Sequence, residues 1–303
     1  MATAKSWIKA ARPRTLPLAL SGILMGCGLA WFYDAVQAAV SVLAIITATC
    51  IQVFSNFAND YGDSQRGTDN EFRLGPTRTV QSGEISKKEM ETGMFVVGGL
   101  SFLLGIWLVF LGTWSSSKTA FFSFIGLGIL SLVAAYFYTA GKKSYGYIGL
   151  GDLFVFLFFG LLPVAGVFYL NAGFIFPEIF LPAITIGFFS TGVLNLNNMR
   201  DIDNDRNSGK ITIPVRMGAR KSRFYHLFMI FIGWASAVVF TLNHFHSPWQ
   251  FLFVLVLPFF VRDLVGIFRI QNDRQLDPFL KRLALSTLAF TLLFCVGLII
   301  ASQ

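Results

Sequence analysis

Charge is scarce in this chain. Asp, Glu, Lys and Arg make up 13% of its 303 residues, where a soluble domain carries roughly 25%. Cysteine and histidine are scarcer, with three of each. Cys27, Cys50 and Cys295 fall inside apolar stretches with no CxxC pair and no histidine beside them. That excludes a thiolate metal site and leaves packing as their role. His226, His244 and His246 stand at the ends of apolar runs without metal-ligand spacing to any carboxylate, and are expected at the membrane interface. Period-two alternation of apolar and polar residues is also missing from the apolar runs, which excludes a lipid-facing barrel.

What the chain has instead is hydrocarbon. Of its residues 54% are hydrophobic, 34 of them Phe, and its mean hydropathy is +0.63. Nine apolar stretches are long enough to cross about 30 Å of lipid as helices. They lie near 15–33, 38–59, 93–112, 119–138, 150–170, 178–197, 225–243, 248–267 and 283–301. The expected fold class is therefore all-α, a polytopic bundle of nine transmembrane helices forming one integral membrane domain over residues 1–303. With the N-terminus placed in the cytoplasm, every Lys and Arg except Lys118 falls on the cytoplasmic side. Topology and contact with lipid headgroups thus account for the pI near 9.5, and nucleic acid is rejected as a partner. The expected location is the cell's inner (cytoplasmic) membrane. Leu24-Met25-Gly26-Cys27 approaches a lipoprotein cleavage box, but the apolar run continues past Cys27 to a full span, so no processing is expected there.

The informative exceptions to the apolar rule are two acidic clusters at cytoplasmic span ends. The first reads Asn56-Phe-Ala-Asn-Asp60-Tyr-Gly-Asp63 and the second Asn197-Asn-Met-Arg-Asp201-Ile-Asp203-Asn-Asp205. Spacings of three and four return to one helix face, so each cluster forms a stripe of oxygen ligands, with Asp203 off the stripe. Carboxylates are expensive beside a bilayer, which makes a functional reading the default. Two opposed acidic stripes suit Mg²⁺ and, through it, a diphosphate.

The stripes sit on the second and sixth spans, within a weak internal duplication, and each is followed by a long polar connection, 60–92 and 198–224. These connections have helix-like stretches, such as Ser86 to Glu91 after Gly83, and are expected to form ordered caps. The first holds Arg66, Asp69, Arg73 and Gly75-Pro-Thr-Arg78-Thr-Val-Gln81-Ser-Gly83; the second holds Arg206, Lys210 and Thr212-Ile-Pro-Val-Arg216. Between them Tyr138 and Lys142 share a helix face by spacing. Arg suits phosphate through its fork and Lys as a point charge. Metal-chelating acids, phosphate-clamping bases and a site at the membrane surface point to an isoprenyl diphosphate, with a water-soluble head and an apolar tail. Asp69 reads as a loop turn or an extension of the metal site, and Arg78 and Gln81 as diphosphate contacts or braces of the cap. Asp203 reads as solvated or as a support to the ligands.

These motifs resemble the UbiA superfamily of intramembrane aromatic prenyltransferases over the whole chain. The superfamily's Asn-xxx-Asp-xxx-Asp, Tyr-xxx-Lys and Asp-xxx-Asp motifs correspond to Asn56/Asp60, Tyr138/Lys142 and Asp201/Asp205. Its pattern would put an Asp at position 64, which is Ser64; Asp63 takes that place. SNFANDYGD, GPTRTVQSG and RDIDNDRNSGKITIPVRMG are most similar to the branch that prenylates 1,4-dihydroxy-2-naphthoate in menaquinone synthesis. The resemblance implies transfer from a polyprenyl diphosphate to that naphthoate with loss of its carboxylate. It implies metal ligation by Asp60, Asp63, Asp201 and Asp205, with two Mg²⁺ ions between them, and diphosphate contact by Lys142, Arg216 and Arg78. Asn56 would orient a ligand or substrate, and Tyr138 would position the acceptor or the allylic cation. Arg14 reads as a partner for the acceptor's carboxylate or as a topology charge. The 34 phenylalanines read mostly as lipid-facing. Two other readings stay open: prenylation of 4-hydroxybenzoate or another aromatic acid, and, from a different class, a divalent-cation transporter.

Overall fold

In a computed structural model the chain is described over residues 2–66, 75–141 and 144–302. Within these residues it is all helix, with nine helices long and apolar enough to cross a membrane: Ala4–Phe32, Ala38–Gln65, Lys87–Thr113, Lys118–Phe137, Gly151–Ala172, Pro177–Arg200, Ala219–Asn243, Pro248–Arg269 and Asp273–Ala301. The count agrees with the nine apolar stretches. The differences at span ends have local causes.

The first span begins earlier than its apolar run. Ala4–Ala11 forms a short helix capped by Thr3, whose side chain accepts from the Ser6 N–H. It breaks at Arg12, a non-glycine residue in the left-handed region (φ 48°), before Pro13 opens the turn into Leu16–Phe32. This stub carries Trp7, which lies 5.2 Å from Phe57 of the second span, and Lys9, which pairs with Glu84. It packs on the first cap rather than crossing lipid. The second span continues as helix through residue 66, so Asn56, Asp60 and Asp63 do share one helical face. The stretch expected to be helical after Gly83 is capped by Ser86, with Glu89 reaching back in a capping box, and runs directly into the third span. The sixth span ends at Arg200; a short helix, Ile202–Asn207, restarts beyond Asp201, and the Asp205 N–H still bonds to the Asp201 carbonyl at 2.8 Å.

Lipid supplies no hydrophobic drive between helices, so small residues set the close crossings. A Cβ on Gly160 would stand 2.3 Å from the Gly187 Cα, and one on Gly28 would stand 2.3 Å from Cys295 Sγ. Cys295 is buried in the core, in keeping with packing. The fifth span widens to a π-helical segment at Phe156–Leu161, a device common at functional sites.

One expectation is corrected here. His226 is not interfacial: it is 2% exposed, packed between the sixth and seventh spans against Gly192, because the seventh span starts at Ala219 and carries it inside. Phe takes both roles: among the described residues 14 are exposed and nine are buried, so the outward share is the larger. Phe95, Phe122 and Phe231 do face outward, but Phe168, Phe189, Phe240, Phe253, Phe290 and Phe294 are fully buried. Phe189 meets Phe290 edge-on at 5.3 Å and Trp234 meets Phe260 at 5.4 Å. Edge-to-face pairs add specific geometry to a core where apolarity alone discriminates nothing.

Candidate active site

The first acidic stripe is closed by its own cap. Thr79, from the GPTRTVQSG block, donates to Asp60 Oδ2 through its backbone N–H at 3.2 Å and its hydroxyl at 2.6 Å. Arg78 pairs with Asp63 Oδ2 at 2.7 Å, and the Tyr147 hydroxyl donates to Asp63 Oδ1 at 2.9 Å. Gln81 braces the cap by accepting from the Arg78 N–H. Of the two readings offered for this block, Gln81 takes the bracing role and the Arg78 side chain holds an acid of the stripe.

The second stripe is held differently. Arg200 forks onto Asp201, Nε to Oδ1 at 3.1 Å and Nη2 to Oδ2 at 2.6 Å. Lys210 reaches Asp205 Oδ1 at 3.3 Å. Burial, reinforced by Asp201 and Asp63 against the opposing pull of Lys210, raises the Asp205 carboxyl to about 6. Asp203 points to solvent, 3.9 Å from Arg206.

Residues 144–150 tie the two halves together. Besides the Tyr147 hydroxyl on Asp63, the Tyr147 carbonyl accepts from the Ile211 N–H at 2.9 Å, and the Ile148 carbonyl accepts from Arg216 at 2.7 Å. Gly149 (φ +85°) lets the backbone pass close to Ile211 and Arg216. Arg216 is thereby placed on the outside, bracing this segment. It does not line the cavity below; it follows the turn after Thr212 and reaches the Ile148 carbonyl.

Beside the first stripe lies a cavity of about 550 Å³; of the four stripe acids Asp63 lines it, while Asp60, Asp201 and Asp205 stand behind its wall. Its mouth carries Arg12, Arg14, Asp63, Arg78, Lys210 and Asp277; its body is apolar. Phe102, Leu127 and Ile129 line its apolar end and are each more than a third exposed, consistent with an end open on the lipid side. One wall is aromatic. Tyr138 meets Tyr145 edge-on at 5.4 Å, Tyr145 stacks on Phe154 at 4.0 Å, and Phe158 follows at 5.9 Å. The π-helical segment carries Phe158 in this row. Burial first, then Asp152, Asp63 and Asp205, raises the Tyr138 hydroxyl above its ordinary value, so it stays protonated.

Asn56 lines the cavity, but its bonds run to the N-terminal turn: its amide donates to the Ala11 carbonyl at 2.8 Å and to Thr15 Oγ1 at 3.0 Å. It therefore fixes the turn that carries Arg12 and Arg14 into the mouth. Asn197 accepts from Arg200 at 3.0 Å. The side chains of Lys142, Arg66, Asp69 and Arg73 lie outside the described residues.

The donor set fits a hard divalent cation. Among the described residues no three His, Cys, Asp or Glu form a closed cage. Yet Asp60 Oδ1 and Asp205 Oδ2 are buried without a partner there, one from each stripe. Mg²⁺ suits such a site, since it takes one or two carboxylates and fills its octahedron with water and substrate phosphates.

Four contributors escaped the sequence reading: Thr79, Tyr147, Arg200 and Asp277. Thr79 sat in a quoted motif without a role, and Arg200 was counted as a topology charge. Nothing in the local sequence marked Tyr147 or Asp277.

The UbiA prenyltransferase family model matches residues 19–288. The chain is 42% identical over 298 residues to a 1,4-dihydroxy-2-naphthoate octaprenyltransferase of Haemophilus influenzae, covering 98% of this chain and 96% of the relative. It is 39% identical over 297 residues to the protein of that name in Escherichia coli, with the same coverage. A UbiA homolog from Archaeoglobus fulgidus, solved bound to GPP and Mg²⁺, shares the fold with a TM-score of 0.62 at 14% identity, covering 95% of this chain and 99% of that one. This multi-pass membrane chain, with nine candidate spans among its described residues, belongs to the UbiA prenyltransferase family.

Proposed function

We propose that the chain transfers a polyprenyl group from a polyprenyl diphosphate to 1,4-dihydroxy-2-naphthoate, with release of CO₂ and diphosphate, in menaquinone biosynthesis. The product is demethylmenaquinol, which oxidises to demethylmenaquinone. The observation that carries the reaction class is the cavity, which is charged at its mouth, aromatic along one wall and open to lipid at its apolar end. The choice of acceptor is taken from the relatives named for that reaction.

The diphosphate sits at the mouth, where Arg78 and Lys210, with Lys142 from the Tyr-xxx-Lys motif, meet its oxygens. Asp60, Asp63, Asp201 and Asp205 would hold Mg²⁺, which when bound neutralises the diphosphate and makes it a better leaving group. The prenyl tail lies along the apolar body and out into the bilayer. As the allylic C–O bond breaks, Tyr138, Tyr145, Phe154 and Phe158 present π faces to the cation and keep water from it. Arg14, held in the mouth by Asn56, pairs with the acceptor's carboxylate. The ring carbon bearing that carboxylate attacks, activated by the neighbouring hydroxyl. The resulting β-keto acid loses CO₂, and the enol re-forms with the hydroxyl proton. The one-sided distribution of Lys and Arg supports a cytoplasmic N-terminus and a site facing the cytoplasm, and the reading puts both in the inner membrane.

Purified protein is incubated with one prenyl donor, Mg²⁺ and naphthoate labelled with ¹³C in its carboxylate, with 4-hydroxybenzoate in a parallel reaction. Labelled CO₂ should appear in step with prenylated naphthoquinol. Label retained in the product would refute the decarboxylative route. Preference for the benzoate would refute the acceptor while leaving the diphosphate site standing.

A further inference from the structure

Arg200 is 2% exposed in a chain whose other cytoplasmic-side bases mostly face water. Each of its nitrogens has a partner. Nε and Nη2 fork onto the two oxygens of Asp201, and Nη2 also donates to Asn197 Oδ1. Nη1 bonds to Asp277, 77 residues away. Asp277 begins the helical run of the ninth span and lines the cavity mouth, where its charge also acts on Arg14. A guanidinium is planar, so partners on three sides fix its plane, and the fork then fixes the plane of the Asp201 carboxylate. A carboxylate has about four lone-pair positions. The fork takes one on each oxygen and leaves one on each, aimed by the same geometry. Two carboxylates against one guanidinium also leave the cluster one negative charge with which to draw a cation. Asp205, by contrast, is held by a single lysine contact that sets no plane.

We infer that Arg200, backed by Asp277, is a positioning residue that aims Asp201 at the metal and its diphosphate, so that the ninth span helps to set the metal site. The inference rests on the reading of Asp201 as a metal ligand. It adds two residues that lie outside the acidic stripe and need touch neither metal nor substrate. An Arg-to-Lys change at 200 conserves charge but loses the fork. An Asp-to-Asn change at 277 removes the anchor and leaves the Arg200–Asp201 pair in place.

The test uses full-length detergent-purified protein with inorganic diphosphate and Mn²⁺, the free ion being counted by its EPR signal. Wild type should bind Mn²⁺ and Asp201→Asn should lose it. No binding by wild type would overturn the metal reading itself, and this inference with it. Given binding, Arg200→Lys should weaken Mn²⁺ affinity by at least about 10-fold, as loss of a supporting contact does at metal sites. Asp277→Asn should weaken it in the same direction, and Asp277→Glu should restore it to within about twofold. In turnover, the Mg²⁺ half-saturation should rise in step, with KM for the prenyl diphosphate at saturating Mg²⁺ held within about twofold. Should Arg200→Lys fail to fold, the Asn and Glu variants at 277 decide. Wild-type Mn²⁺ affinity in folded Arg200→Lys or Asp277→Asn overturns the positioning role. Equal loss in Asp277→Asn and Asp277→Glu overturns it too, since a positioned contact tolerates the longer carboxylate.

Discussion

Replacing Thr79 by Val isolates one contact behind the metal site. Asp60 Oδ2 accepts twice from Thr79, and Val keeps the backbone donor at 3.2 Å while deleting the hydroxyl at 2.6 Å. The shape is nearly unchanged, so packing is not the variable. A hydrogen bond to a charged group is worth roughly 1.5–3 kcal/mol, and both groups are buried, Thr79 and Asp60 each at 1% exposure. The bond stands before a cation binds, so affinity falls only by the part on which the metal-bound form relies more than the free form, and the whole energy is the upper bound. At 1.4 kcal/mol per decade, that bound is roughly 10- to 100-fold. The range coincides with the cost of removing supporting contacts at known metal sites, about 10–100-fold. The assay is the initial rate of prenyl transfer against Mg²⁺ concentration, with thermal unfolding run alongside to confirm a folded protein. The half-saturation for Mg²⁺ should rise by about 10-fold, with the rate largely recovered at high Mg²⁺. A half-saturation within twofold of wild type, in a background where Asp60→Asn is inactive, would refute the claim that the GPTRTVQSG cap aims Asp60.

Direct removal of ligands should be harsher: Asp60→Asn or Asp201→Asn should lower turnover by at least about 10²-fold, and EDTA should abolish activity until Mg²⁺ is restored. Near-normal rates in both variants would remove the diphosphate site. Cation binding should also be proton-linked. Burial raises the Asp205 carboxyl to about 6, so below that pH a cation displaces a proton. Mn²⁺ affinity should be flat above about pH 7 and fall by up to about tenfold per pH unit below 6; a flat profile from pH 5 to 7 would exclude Asp205 as a ligand. An odd number of spans with the basic side inside puts the two ends on opposite faces, so a reporter fused after Gln303 should read as non-cytoplasmic, and a cytoplasmic signal would mean that one of the nine helices does not cross.

The sequence by itself determined the architecture class and the placing of the first acids on one helix face. Nine apolar runs carry the spans because lipid forces each helix to satisfy its own backbone, so crossing is a property of each segment alone. The spacing of Asn56, Asp60 and Asp63 is likewise local, and the second span is helical through all three. Span ends were less legible. The Ala4–Ala11 stub is too polar to read as membrane, and the seventh span begins at Ala219, well before its apolar run, in a stretch of arginines and lysines.

Tertiary structure alone decided who holds each acid. Thr79 lies 19 residues from Asp60, Tyr147 lies 84 from Asp63, and Asp277 lies 77 from Arg200. No periodicity links such pairs. Arg200 and Arg216 look alike in the sequence, two arginines in one cap, yet one is buried between carboxylates and the other sits outside on a carbonyl. The aromatic wall is similar: 34 phenylalanines are equally apolar, and only the close passage of helices at Gly160 and Gly187, together with the π-helical segment beside them, accompanies the placing of Phe154 and Phe158 along the cavity. Helix formation is written in neighbours along the chain. The partners of a charge or a ring depend on which helices meet, and that is settled by packing across the whole bundle.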